Sequence, residues 1–340
     1  MTATPGAPRV SFVIPVRNDA RRLRNCLASI ASNGSTAAAV EVIVADNGST
    51  DDTQETARSA GARVFSWPGP RVSELRNRGA AAATGDILAF VDADHEIVAT
   101  WTAAAVEALA PERVGAAGAL YTAPEPGTWV QRLYGALRGR TRGRQDVAWL
   151  GSGNLVVRRE AFEAVGGFDA SLEACEDVDF CQRLRAAGWR LVGDERLESV
   201  HLGDPPTLRA LFRAERWRGR DNLRVSLRGP LTAGDLPSLM IPIVDLMAGA
   251  TLIAAGLLSL AFGARVMPIV AANLLIIALL SALRAARIIT RANRIGPLTI
   301  VQAFLVAVTY DAARATALVT RASHHRRAPR GPSAAGASIT

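Results

Sequence analysis

Two stretches near the C-terminal end constrain this chain most. Residues 246–264 run for nineteen positions, and residues 266–283 for eighteen, without one charged side chain; only Arg265 separates them. As helices rising 1.5 Å per residue, each covers about 27–29 Å, close to the ~30 Å hydrocarbon core of a bilayer. Spans this close in sequence predict a helical hairpin, with a buried hairpin in a soluble core as the alternative. A third stretch, residues 295–310, has sixteen uncharged positions before Asp311 and Arg314 interrupt it, and it either spans or lies in the interface. Arg213, Arg216, Arg218, Arg220, Arg224 and Arg228 precede the first run, and Arg284, Arg287, Arg291 and Arg294 follow the second. Positive charge on both flanks places both on the cytoplasmic side. A third full span would carry Arg321, Arg326, Arg327 and Arg330 outside, against that bias.

The sequence therefore divides into a globular part, residues 1–235, a region of membrane helices over 236–320 (about 238–263, 265–284 and 296–319), and a small polar tail, 321–340, expected to be disordered. Net charge is +8 and every basic residue outside histidine is arginine. Because that charge clusters at the membrane flanks, anionic lipid is the expected partner, and nucleic acid is not. Three cysteines (Cys26, Cys175, Cys181) show neither metal-site spacing nor an even count, which argues against a disulfide framework. The apolar run 10–16 is too short for a signal peptide and contains Pro15, so the globular part is expected in the cytosol. Nothing in the sequence specifies an oligomeric state.

Residues 9–120 alternate between strand-like and helix-like segments. Strands are predicted at 10–16, 40–45, 62–65 and 87–91. Helices are predicted at 20–32, after a cap at Ser49 or Thr50, and at 73–83. This rhythm predicts an α/β, Rossmann-like, mostly parallel sheet with helices on both faces. Ligands of such sheets sit at the carboxyl ends of the strands, where Asp46, Asn47, Asp92 and Asp94 fall. Farther on, helices are predicted near 128–137, 160–165 and 177–187, a strand at 155–158, and a basic amphipathic helix or pair over 208–225.

Chemistry concentrates first in GDILAFVDADHE, residues 85–96. Asp92 and Asp94, one residue apart at a strand tip, cannot both be buried unpaired, since each charge would cost several kcal/mol to desolvate. A divalent cation shared with phosphate oxygens resolves the conflict; the plain alternative is a polar turn with Asp94 capping a helix. Glu176-Asp177 opens a helix, where carboxylates suit the dipole whether or not they also act as a base. Asp179 and Arg183, four apart, read as a structural pair. His201 is either structural or a neutral imidazole completing an oxygen-rich metal site.

Five pieces occur in one order: VSFVIPVRND, VIVADNGSTDDT (42–53), LRNRGAAAATGDILAFVDADHE (75–96), GSGNLVVRREAFEAVGGFD (151–169) and EACEDVDFCQRLRAAG (173–188). Together they closely resemble the family-2 glycosyltransferases, inverting enzymes of GT-A fold that use nucleotide-diphosphate sugars, over residues 9–220; the apolar tail is similar to that of membrane-anchored members. The resemblance implies that Asp94, with His201, binds Mn²⁺ or Mg²⁺. Along the nucleotide it places Pro15, Asp46, Asn47, Arg76, Asp92 and Ala93. Asp46 would read the base, expected to be uracil, with guanine and thymine as alternatives. Asp177 would be the catalytic base, and Gly153, Asn154 and Glu176 would border donor sugar or acceptor. Arg213-Ala-Glu-Arg216-Trp217 is similar to the Q-x-x-R-W of processive synthases, with Arg213 in place of Gln. That departure argues against processive synthesis and favours a helix on anionic headgroups, with Arg216 and Trp217 still able to touch diphosphate or acceptor. The activity implied is transfer of a sugar to a hydroxyl of a glycan or lipid-linked acceptor in cell-envelope or exopolysaccharide synthesis. Transfer to polyprenyl phosphate, or a non-catalytic sugar-nucleotide-binding scaffold subunit, are the alternatives.

Overall fold

A computed structural model describes residues 8–33, 38–229, 236–292 and 296–320. The strands are β1 Arg9–Val16, β2 Ala39–Asp46, β3 Arg63–Ser66, β4 Ile87–Val91, β5 His95–Ile97, β6 Val114–Gly118, β7 Arg144–Asp146, β8 Asn154–Arg158, β9 Arg190–Asp194 and β10 Ser199–His201. Between and after them come the helices α1 Ala20–Ala31, α2 Thr53–Ser59, α3 Val72–Ala82, α4 Trp101–Leu109, α5 Trp129–Arg138, α6 Arg159–Ala164, α7 Glu176–Ala186, α8 Leu208–Arg218, α9 Asn222–Ser226, α10 Leu236–Phe262, α11 Met267–Arg291 and α12 Pro297–Ala317. The tail, Arg294 and residues 230–235 lie outside the described residues.

Eight strands form one sheet in the order β3-β2-β1-β4-β8-β6-β9-β7, and β5 pairs with β10 in a small second sheet. Side-chain alternation along the strands builds two cores. Phe12 and Ile14 join Leu23, Leu27, Trp101 and Leu109 from α1 and α4. On the other face Val13, Leu88 and Phe90 join Phe162, Phe180 and Leu184 from α6 and α7. All five residues of β4 are buried, as a strand covered on both faces requires.

The sheet is mostly parallel, with one exception that matters for the site. β8 runs antiparallel to both β4 and β6. Its register sets Asn154 opposite Val91, so the chain entering β8, Gly151 to Gly153, lies at the carboxyl edge beside Asp92. Ser49 and Thr50 do not cap α2. Asp52 stands at the cap, and Asp51 accepts from the Thr53 backbone N–H. The basic segment forms a pair, α8 and α9.

The apolar runs form a hairpin of α10 and α11, joined at residues 263–266 by one short 3₁₀ turn, and both this stretch and α12 are long and apolar enough to cross a membrane. Lengths alone do not distinguish α12 from the hairpin, but packing does. A third apolar cluster joins Val130, Leu133, Tyr134 and Leu137 of α5 and Leu211 of α8 to Ala285 and Ile288 of α11 and Ala303, Val306 and Ala307 of α12. Glu215 of α8, buried, accepts from the Tyr134 hydroxyl (2.6 Å), Arg218 (3.0 Å) and Arg314 (2.9 Å). One face of α12 is therefore docked on the globular part. Leu298, Val301 and Leu305 stay exposed near its start.

Candidate active site

Pro15, Arg17, Asp19, Asn47, Asp92, Ala93 and Asp94 line one cleft of about 280 Å³ at the carboxyl ends of β1, β2 and β4. Asp94 does not cap a helix, because the chain turns straight into β5. That strand's antiparallel register with β10 sets His95 directly across from His201. Asp94 Oδ2 lies 3.2 Å from His201 Nε2 and 3.7 Å from an Arg22 guanidinium nitrogen. His201 Nδ1 meets Asp204 at 2.7 Å, and Asp204 is gripped through both oxygens by Arg138, at 2.6 and 2.5 Å. Arg138 in turn stacks over the rings of Tyr121 and Tyr134, 4.3 and 4.7 Å from their centroids. This relay fixes the orientation of His201 and aims Nε2 at Asp94.

Electrostatics follow from these contacts. Burial alone would raise the Asp94 carboxyl, but the hydrogen bond and charge of His201, with His95 and Arg22, hold it well below the usual range. Burial would likewise lower His201, yet its bonds to Asp204 and Asp94 raise it. Burial pushes His95 down to about 4, with the His201 charge adding to it, so its ring is neutral at physiological pH. Asp94, His95 and His201 each present a ligand atom, and these atoms all lie within 4.8 Å of one another. A Cβ on Gly203 would sit 1.9 Å from Asp94 Oδ2, so only glycine leaves the carboxylate its place.

The loop before β8 connects this cluster to the acidic pair on α7. A Cβ on Gly153 would lie 2.6 Å from Asp92 Oδ2, and one on Gly151 would lie 3.9 Å from Asp177 Oδ2. Between them the Ser152 hydroxyl bonds Glu176 at 3.1 Å. Asp177 accepts from the Val178 N–H at 2.8 Å and makes no ion pair among the described residues. Burial, then the neighbouring Glu176 charge, push its carboxyl up to about 7. Cys175, just before α7, adopts φ 58°, a left-handed conformation costing about 1–3 kcal/mol in a non-glycine residue. The turn is tied to the start of α9, where the Asp221 carboxylate accepts from the Glu173 and Ala174 N–H groups.

Several of the predicted site residues have partners within the protein. Arg76, 2% exposed, reaches no open surface; it braces Asp92 (2.6 Å) against Glu176 (2.7 Å). Asp46 is fully buried, and its carboxylate accepts from Gly48, Ser49, Gln54 and Ser66. These bonds tie the carboxylate to the turn after β2 and to β3. Asn47 holds the following loop through Gly69 and Pro70. Asn154, 1% exposed, bonds Trp101 and the carbonyls of Ala119 and Leu197, which ties the start of β8 into the sheet. Gly153 gives close approach, but to Asp92 and His95. Trp217 is 44% exposed on α8, and Arg216 lies over the Phe212 ring without an ion pair among the described residues. Asp179 pairs with Arg183 at 2.8 Å, the structural pair its spacing predicts. Sequence reasoning missed His95, Asp204, Arg138 and Glu215. Only His95, beside Asp94 in the motif, carried a local signal.

The sequence profile described as Glycosyl transferase family 2 matches residues 11–166. Glycosyltransferase AglE of Haloferax volcanii is 31% identical over 221 residues, which are 60% of this chain and 70% of that protein. A pre-mycofactocin glycosyltransferase of Mycobacterium tuberculosis is 31% identical over 206 residues, 55% of this chain and 41% of that one. Among solved structures, a mannosyltransferase from Pyrobaculum calidifontis in complex with GDP-Man and Mn²⁺ superposes with a TM-score of 0.56 at 20% identity, covering 90% of this chain and 88% of that chain. That likeness establishes the GT-A fold. With the profile match and the coverage of AglE, it follows that this chain belongs to glycosyl transferase family 2.

Proposed function

We propose that this glycosyltransferase is membrane-anchored, metal-dependent and inverting, and moves a sugar from a nucleotide-diphosphate sugar to a hydroxyl of a glycan or lipid-linked acceptor. The observation that carries the reading is Asp177. Asp92 and Glu176 share the Arg76 guanidinium, and Asp94 faces His201 and Arg22. Asp177 has no such partner among the described residues and is pushed up to about 7, the range suited to a general base at neutral pH.

Asp94 and His201 would hold Mn²⁺ or Mg²⁺; a carboxylate and an oriented imidazole fit either ion, with a preference for Mn²⁺. Bound there, the cation supplies charge neutralisation for the departing diphosphate. The chain's own residues do the rest. Asp92, fixed by Arg76, and Ala93, Pro15 and Asn47 wall the donor cleft. The acceptor hydroxyl gives its proton to Asp177 as its oxygen bonds the anomeric carbon and the bond to the diphosphate breaks. Uridine diphosphate is the expected donor nucleotide, and the GDP-Man bound by the Pyrobaculum calidifontis enzyme makes a guanine donor the first alternative. Screening sugar nucleotides for diphosphate release tests the reading; no release with any donor would favour a non-catalytic scaffold.

In this reading residues 1–235 form the catalytic part on the cytoplasmic face. The hairpin of α10 and α11 crosses the membrane, and α12 lies along the interface. Exposed Arg209 and Arg213, with Arg216 and Trp217, would rest on anionic headgroups. Arg220, paired with Glu173 in the loop before α7, also supports polyprenyl phosphate as a second acceptor class. A phosphate oxygen is already ionised, so near-normal turnover of Asp177→Asn would favour that class.

A further inference from the structure

We propose that His95 is a further protein ligand of the divalent cation, through Nε2, so that the chain holds the ion with two imidazoles and one carboxylate. This rests on the metal-dependent reading above. The β5–β10 register places the two histidines opposite each other, with ring centroids 4.7 Å apart and the ring planes tilted by 39°. His95 is 1% exposed, and its side-chain hydrogen bond is made by Nδ1, 2.9 Å from the Ser199 hydroxyl. That bond leaves Nε2 as the coordinating atom. Tyr121 packs edge-on against both rings, at 5.0 and 4.8 Å, and limits their rotation.

Both imidazoles thus have the outer partner that metal-bound histidines ordinarily show: Ser199 for His95, and Asp204 for His201. The space before Nε2 is kept open by Gly153, whose Cβ would stand 3.2 Å from it. Two nitrogens in the set move the preference away from Mg²⁺, which favours oxygen ligands in octahedral geometry, and towards Mn²⁺, Co²⁺ or Zn²⁺.

The test uses the full chain in detergent, titrated with Mn²⁺ alone and with Mn²⁺ plus UDP. Free ion is followed by electron paramagnetic resonance, and bound imidazoles are counted from nitrogen hyperfine couplings. Two imidazoles are expected in the wild type and one in His95→Gln. That variant should bind Mn²⁺ at least ~10-fold more weakly, with a narrower preference over Mg²⁺. One imidazole in the wild type, or unchanged affinity in His95→Gln, would overturn the inference and leave the metal reading standing. A wild type that takes up no Mn²⁺ in either titration overturns both. Should His95→Gln misfold, the count in the wild type still decides.

Discussion

Replacing Asp177 with asparagine should trade activity for stability, and both sides of the trade can be sized. Burial and the Glu176 charge raise the carboxyl from an ordinary 3.8 to about 7. The folded state therefore holds a proton that an unfolded aspartate has already released. Stability from this group is fully present below pH ~4 and is lost as pH climbs through about 7. That interval corresponds to about 4 kcal/mol at most, and to less once solvent screening at the cleft is allowed for. An asparagine side chain carries no charge at any pH, so Asp177→Asn should unfold at higher temperature than the wild type at pH 8, and at nearly the same temperature at pH 4.5. Turnover moves the other way. The ionised fraction rises from ~10% at pH 6 to ~90% at pH 8, so kcat/KM should climb about tenfold across that window. In Asp177→Asn this limb should vanish and turnover should fall ~10²–10⁴-fold. Thermal denaturation and diphosphate release, each followed from pH 4.5 to 8.5, check the two halves. A variant that is less stable at pH 8, or that keeps the pH limb, would show that Asp177 is not the strained, ionising base.

Three further outcomes are expected. Gly203→Ala should weaken Mn²⁺ binding about tenfold or more while leaving circular dichroism unchanged, because its Cβ would lie 1.9 Å from Asp94 Oδ2; calorimetry reads this directly, and unaltered affinity would remove Asp94 from the metal set. Arg76→Met leaves the buried Glu176 without its cation, while Asp92, a third exposed, can turn to water, so denaturant titration should show a loss of about 3–5 kcal/mol carried mainly by Glu176; a loss below 1 kcal/mol would mean Glu176 finds a proton or water instead. A single cysteine at Ala292 should react with impermeant reagents only from the cytoplasmic face, since four arginines follow the second apolar run and Arg265 stands alone in the turn; labelling solely from the outer face would reverse the topology.

Local sequence determined the elements of this protein. Apolar runs of four to eight residues became strands. The uncharged stretches became long helices, and a turn set Asp92-Ala93-Asp94 at the tip of β4, because desolvation and backbone geometry act over a few residues. Partners far along the chain are chosen by packing, and there local pattern carried no information. The antiparallel course of β8 brought Gly153 beside Asp92, and the pairing of β5 with β10 set His95 across from His201. Nothing local to Arg76 showed that folding would place Asp92 and Glu176 on either side of it. Asp46, at a strand end, gains Gln54 of α2 and Ser66 of β3 as donors, which its local sequence did not announce. The globular part likewise does not end where the apolar runs begin, since Glu215 accepts Arg314 from α12. A carboxylate advertises its charge in the sequence, but whether that charge meets an arginine, a histidine or a substrate is decided only when distant segments close around it.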